Sequence, residues 1–133
     1  MSKTQVRDED AADKAARILD LEFDRPRSLT ALSLEVGLSP TQLSRAFHSR
    51  HGVTIPGYVR RLRTTLASHL LSTTDMMIGE IGLAVGYHSM SAFVRGFTRE
   101  SGRTPSTFRA EARTQTAADR QATLAGDALP AIA

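Results

Sequence analysis

One punctuated segment occurs twice in this chain, and that recurrence limits its folds more than any other feature. Val36, Gly37 and Leu38 align with Val85, Gly86 and Tyr87. After one inserted residue the register resumes: Leu43 with Phe93, Arg45 with Arg95, Phe47 with Phe97, Gly52 with Gly102, Thr54 with Thr104 and Tyr58 with Phe108. Core positions stay apolar and both arginines recur. In the first copy Ser28 can cap a helix whose Leu29, Leu32 and Val36 share one face, and Gly37 ends it. Ser39, Pro40 and Gln42 then supply a capping serine, a first-turn proline and a third-position glutamine for the next helix. A helix, a glycine turn of about three residues and a second helix form a helix-turn-helix. Single helix pairs of this kind are common, whereas two in register are a much narrower signal.

The remaining segments are helical too. Ala12, Ala15, Ala16 and Leu19 fall three or four apart and predict a first amphipathic helix over residues 10–22. Tyr58, Leu62, Leu66 and Leu70 form one stripe of a linker helix over residues 55–72, about 25 Å long at 1.5 Å per residue. A last helix starts at the capping residue Thr104 and fades near residue 113. The expected fold is all-α: two helix-turn-helix subdomains joined by a long linker helix, about seven helices in all. The first helix-turn-helix is placed at about residues 29–51 and the second at about 78–101, within a domain of residues 10–113. Residues 1–9 are expected to be a flexible arm and residues 114–133 a flexible tail, since both lack apolar periodicity.

Composition narrows the function. With 133 residues the chain suits one domain or two small fused cores. The absence of cysteine excludes disulfides, thiolate zinc sites and a cysteine nucleophile. The acidic N-terminus has no signal-peptide core, and no apolar run reaches membrane-span length, so a soluble cytoplasmic chain is expected. The net charge of +3 is unevenly spread. Residues 1–27 carry six basic side chains against seven acids, while residues 45–113 carry ten arginines, no lysine and four acids. Arginine suits bidentate contact with phosphate and guanine; a basic face with no partner remains the alternative. His48 and His51 lie three apart without a third ligand at suitable spacing, so no metal is expected. No acid, base or nucleophile constellation stands out, so neither catalytic residues nor a cofactor are expected. A helical protein-interaction module stays open as a rival to a nucleic-acid binder.

At about 100° per residue, Leu43, Ala46 and Phe47 point inward and leave Thr41, Ser44, Arg45 and His48 outside. In the second copy Phe93, Gly96 and Phe97 point inward and leave Ser91, Val94, Arg95 and Thr98 outside. Arginine can bridge guanine O6 and N7, hydroxyls can bond base or phosphate, and valine can touch a thymine methyl. Pairing of Arg45 and Arg95 with nearby acids is the plain structural alternative. Arg60, Arg61 and Arg63 on the linker helix fit either a solvated face or a phosphate clamp.

These residues resemble the DNA-binding domain of the AraC/XylS family of bacterial transcription regulators. The match runs through GYHSMSAFVRGFTRESGRTPSTFR (residues 86–109), the preceding IGEIGLAV (78–85) and GLSPTQLSRAF (37–47), within about residues 10–110. The resemblance implies two recognition helices entering successive major-groove segments of double-stranded DNA. It places Thr41, Ser44, Arg45, Met90, Ser91, Val94 and Arg95 at bases. Ser39, Gln42, Arg60, Arg61, Arg63, Ser89, Arg99 and Arg109 are the expected phosphate contacts. It also implies binding as a monomer in the bacterial nucleoid and, for an activator, contact with RNA polymerase. Activation and repression both remain open. The chain is too short for a sensory domain as well, so it resembles the short stand-alone members, although a fragment of a longer one would fit equally. Four residues depart from the family pattern, Met90 and Val94 by being less polar than in many members. Gly82 stands where alanine is usual, and Gly96 lies inside the second recognition helix, where glycine costs about 1 kcal/mol relative to alanine. A less rigid second unit is expected from these glycines.

Overall fold

The computed structural model describes residues 3–25 and 27–127, and every regular element among them is a helix. In order these are α1 (Lys3–Glu22), α2 (Leu29–Val36), α3 (Pro40–His51), α4 (Ile55–Thr73), α5 (Ile78–Ala84), α6 (Met90–Ser101) and α7 (Pro105–Asp127). The all-α reading and its division into two units joined by a long helix hold.

Helix starts follow the local chemistry. Ser28, Thr54, Ser89 and Thr104 each accept a backbone N–H three residues on, at 3.0–3.2 Å. Ser39 and Gln42 close a full capping box: Ser39 Oγ accepts the Gln42 N–H at 3.2 Å, and Gln42 Oε1 accepts the Ser39 N–H at 3.0 Å. Such caps contribute about 1 kcal/mol each. Gly52 and Gly102 close α3 and α6 in equivalent left-handed conformations.

Two end assignments need correction. Residues 3–9, expected to be a flexible arm, are the first two turns of α1, and residues 114–127 of the expected tail continue α7. Neither helix meets a proline or an interior glycine in those stretches, apart from Gly126 near the end of α7. Extending an existing helix costs far less than nucleating one, so good formers such as Ala, Gln and Arg carry it past its packed segment. Apolar periodicity reports burial and is blind to such extensions. The remainder of the arm and tail, residues 1–2 and 128–133, lies outside the described residues.

Packing gives two separate cores. The first joins Ala15, Ala16 and Leu19 of α1 with Leu32, Leu43 and Phe47. The second joins Ala67 and Leu71 of α4 with Ile81, Val85, Phe93 and Phe97. α4 serves both, since Tyr58 and Leu62 pack on the first and Leu66 and Leu70 on the second. The repeat is visible in the aromatic geometry. Phe47 and Tyr58 meet edge-to-face at 5.3 Å and 79°, and the aligned pair Phe97 and Phe108 does so at 5.5 Å and 77°.

The unusual glycines answer to packing. A Cβ on Gly82 would lie 2.8 Å from Phe93 Cβ, and one on Gly96 would lie 2.3 Å from Tyr87 Oη. By alignment Gly82 corresponds to buried Ser33, and Phe93 to Leu43. The second unit has the larger core residue and the smaller crossing residue. Gly96 seats the Tyr87 ring.

Candidate nucleic-acid interface

α3 and α6 are each held by a serine cap, a glycine end and two buried apolar side chains, Leu43 and Phe47 in one and Phe93 and Phe97 in the other. This leaves their opposite faces to solvent. Thr41, Ser44, Arg45 and His48 are all exposed on α3, as are Met90, Ser91, Arg95 and Arg99 on α6. Val94 is half-buried at the edge of this face. Thr98, expected outside, is also half-buried and its Oγ1 is shut off from solvent, because α6 packs against both α4 and α5 and its solvent-facing stripe is narrower than the wheel suggests.

The arginines divide by occupation. Arg27, Arg50, Arg60, Arg61, Arg103 and Arg113 are ion-paired. Arg50 grips Asp13 through two hydrogen bonds, 3.1 and 3.2 Å, and holds its carboxyl below the usual carboxylate range. Arg45, Arg95 and Arg99 have no ion pair or hydrogen bond among the described residues. The plain alternative of pairing with acids does not apply to Arg45 and Arg95.

The expected phosphate set splits. Ser39, Gln42 and Ser89 use their acceptor oxygens in caps, while the two hydroxyl protons and the Gln42 amide N–H remain able to donate outward. Arg60 is half-buried with Nε 3.4 Å from Glu100; Arg61 lies 3.7 Å from the same carboxylate with its side chain 61% exposed. Two further members of the set have partners within the chain. Arg109 turns inward, donating to the Leu71 and Thr74 carbonyls, both at 3.2 Å, at the C-terminal end of α4. Arg63 donates from Nε to the Phe23 carbonyl at 2.8 Å and lies over the Tyr87 ring, 5.0 Å from its centroid. Both destinations are 35–40 residues away in sequence, beyond the reach of helical spacing.

Arg60, Arg63, Arg95 and Arg99, with Arg27, line one cleft of about 560 Å³ between α4 and α6. Among the described residues no acidic side chain lines the cleft, although Arg27 and Arg60 are paired with acids beside it, so Arg63, Arg95 and Arg99 supply its net positive charge. A groove of about 420 Å³ on the other unit sets Arg45 opposite Asp8 and Glu9 of α1. His51 is engaged internally, with Nε2 3.2 Å from the Ala12 carbonyl and its ring 4.6 Å from Phe47. No helix among the described residues is long and apolar enough to cross a membrane.

A family model described as a helix-turn-helix domain matches residues 32–111. The chain is 35% identical over 91 residues to the regulatory protein SoxS of Salmonella typhimurium, covering 68% of this chain and 85% of that protein. It is 35% identical over 97 residues to the transcriptional activator RhaR of Salmonella schwarzengrund, covering 73% of this chain but spanning only 34% of RhaR. Among solved structures, a Chromobacterium violaceum transcriptional regulator with an AraC-type DNA-binding domain superposes with TM-score 0.68 at 29% identity, covering 77% of this chain and 91% of that one. The AdpA DNA-binding domain, solved with a target DNA, shares the fold with TM-score 0.73 at 22% identity, covering 78% of this chain and 94% of that one. With the repeated helix-turn-helix and the matching relatives, the chain belongs to the AraC-type helix-turn-helix family.

Proposed function

We propose that the chain is a sequence-specific transcription regulator that lays α3 and α6 into successive major-groove segments on one face of double-stranded DNA. The carrying observation is the pair Arg45 and Arg95. They occupy equivalent positions of the two helices, are exposed and unpaired, and stand in a chain whose other arginines are largely tied to acids or carbonyls. Each can take guanine O6 and N7 through two hydrogen bonds. Thr41 and Ser44 flank the first arginine and Met90, Ser91 and Val94 the second, which gives the two half-sites different contact chemistry. Arg60, Arg61, Arg99 and the outward donors of Ser39, Gln42 and Ser89 serve the phosphates between and beside them. Two unlike readers on one polypeptide call for an asymmetric site bound by a monomer in the cytoplasm. An activator of this kind would also meet RNA polymerase.

The test is a gel-shift titration on a duplex selected from a random pool, at two salt concentrations. Arg60, Arg61 and Arg99 neutralising about three phosphates give a log–log salt slope of about −2.7, a fall of about 40-fold from 50 to 200 mM. An affinity independent of salt would contradict the proposal.

A further inference from the structure

The two reading helices belong to separate cores, and α4 alone runs through both. A single helix fixes a distance but bends and curves. One base pair of half-site spacing corresponds to about 3.4 Å of translation and about 35° of rotation, so the angle between the units must be held more tightly than that. The structure contains a second tie. We propose that Arg63 is a latch: donating to the Phe23 carbonyl while stacked on Tyr87, its guanidinium joins the end of α1 to the turn of the second unit and so sets the half-site spacing the protein accepts. This rests on the reading of α3 and α6 as the DNA-reading helices.

The chain of contacts is continuous between those helices. α1 is packed along α3 and bound to it by Arg50–Asp13 and His51–Ala12. Phe23 follows α1 directly and receives the Arg63 Nε–H at 2.8 Å. The Arg63 guanidinium lies over the Tyr87 ring, and the other end of Tyr87 rests on α6 at Gly96, where a Cβ would come within 2.3 Å of Oη. Beside them Gly86 has φ +112° and faces the Asp24 backbone so closely that a Cβ would sit 2.9 Å from Asp24 Cα and 3.0 Å from Arg63 Nε. Any other residue at Gly86 would force the units apart. Burial pushes the Arg63 guanidinium below the ordinary arginine value, with Tyr87 and Asp24 acting in the opposite sense. Half-buried between the Phe23 carbonyl and the Tyr87 ring, the guanidinium sits in the joint between the two units.

The chain has no cysteine, so Ser44→Cys and Ser91→Cys place one nitroxide on each reading helix without further change. Electron-spin distance measurement on the free protein should give one narrow distribution, and Arg63→Met and Arg63→Lys should each broaden it by several ångströms. Unlabelled protein, assayed on the selected duplex and on versions with one base pair inserted or deleted between half-sites, should lose at least about tenfold on the altered spacings. Both variants should cut that penalty to about threefold or less, with the salt slope unchanged. Arg63→Lys separates the alternatives because it keeps the charge a phosphate contact needs but loses the plane that stacks on Tyr87. Uniform loss at every spacing, with Lys behaving like wild type and Met lowering the salt slope by about one, would make Arg63 a phosphate contact. Unchanged distance distributions in both variants would overturn the latch whether or not the protein binds DNA. If neither variant folds, Arg63 is a folding residue and the latch is likewise overturned.

Discussion

Replacing either glycine of α5 by alanine should have opposite effects on stability, although both sit in the same seven-residue helix. An interior Gly→Ala change contributes about 1 kcal/mol through backbone entropy. At Gly79 a Cβ would meet nothing within 4 Å, so Gly79→Ala should stabilise by a few tenths to about 1 kcal/mol. At Gly82 the same Cβ would lie 2.8 Å from Phe93 Cβ and 2.9 Å from Cγ and Cδ2, roughly 0.7 Å inside the 3.5–4.0 Å carbon contact optimum. Phe93 cannot yield. It is fully buried, with Tyr87 at 5.6 Å and Phe97 at 5.7 Å between ring centroids. α5 and α6 must therefore move apart, and overpacking of this kind costs about 1–3 kcal/mol. Net of the entropy gain, Gly82→Ala should lose up to about 2 kcal/mol, or up to about 8 °C in Tm for a chain of this size. Urea and thermal unfolding followed by circular dichroism on the three proteins would measure both changes. Stabilisation by Gly82→Ala equal to that by Gly79→Ala would refute the argument that glycine is there to admit the Phe93 ring.

Other consequences are as direct. Arg45→Ala should cost about 1–3 kcal/mol on the preferred site and relax the requirement at one base pair, while Arg61→Ala should weaken all sequences alike and reduce the salt slope by about one; binding to a panel of single-base substitutions tells the two apart. The Tyr58 phenol is partly buried and donates to Asp20 at 2.5 Å, which pushes its pKa up to about 12. A raised folded-state value means its contribution is full below the unfolded value near 10 and is lost as pH climbs toward 12. Tyr58→Phe should flatten that decline in pH-dependent unfolding, leaving a remainder from Tyr87, whose pKa burial also raises. Removing residues 114–133 should leave folding and DNA affinity nearly unchanged, since residues 114–125 are exposed throughout; loss of either in a truncated chain would move the domain boundary.

The legible parts of this fold were the local ones. Ser39, Pro40 and Gln42 announce a helix start because a capping box is closed within four residues, and Phe47 and Phe97 announce a core because helical spacing decides which face they share. The exposed stripe of α3 follows for the same reason. What spacing could not supply was the destination of long side chains. Arg63 and Arg109 look like surface cations on a helical wheel, yet both reach carbonyls brought near only by the tertiary fold. Gly82 and Gly96 looked like weak points because their compensating neighbours, Phe93 and Tyr87, are recognisable only once the helices cross. The helical ends of α1 and α7 escaped because their residues form helix without entering either core.

Whether two helices of one chain read two half-sites is decided by guanine N7 methylation interference on the selected duplex. Two clusters of interfering guanines should appear on one face of the DNA, centred about 10 base pairs apart. Arg45→Ala should abolish sensitivity in one cluster and Arg95→Ala in the other. A single cluster, or loss of the same cluster in both variants, would mean that α3 and α6 do not read separate half-sites.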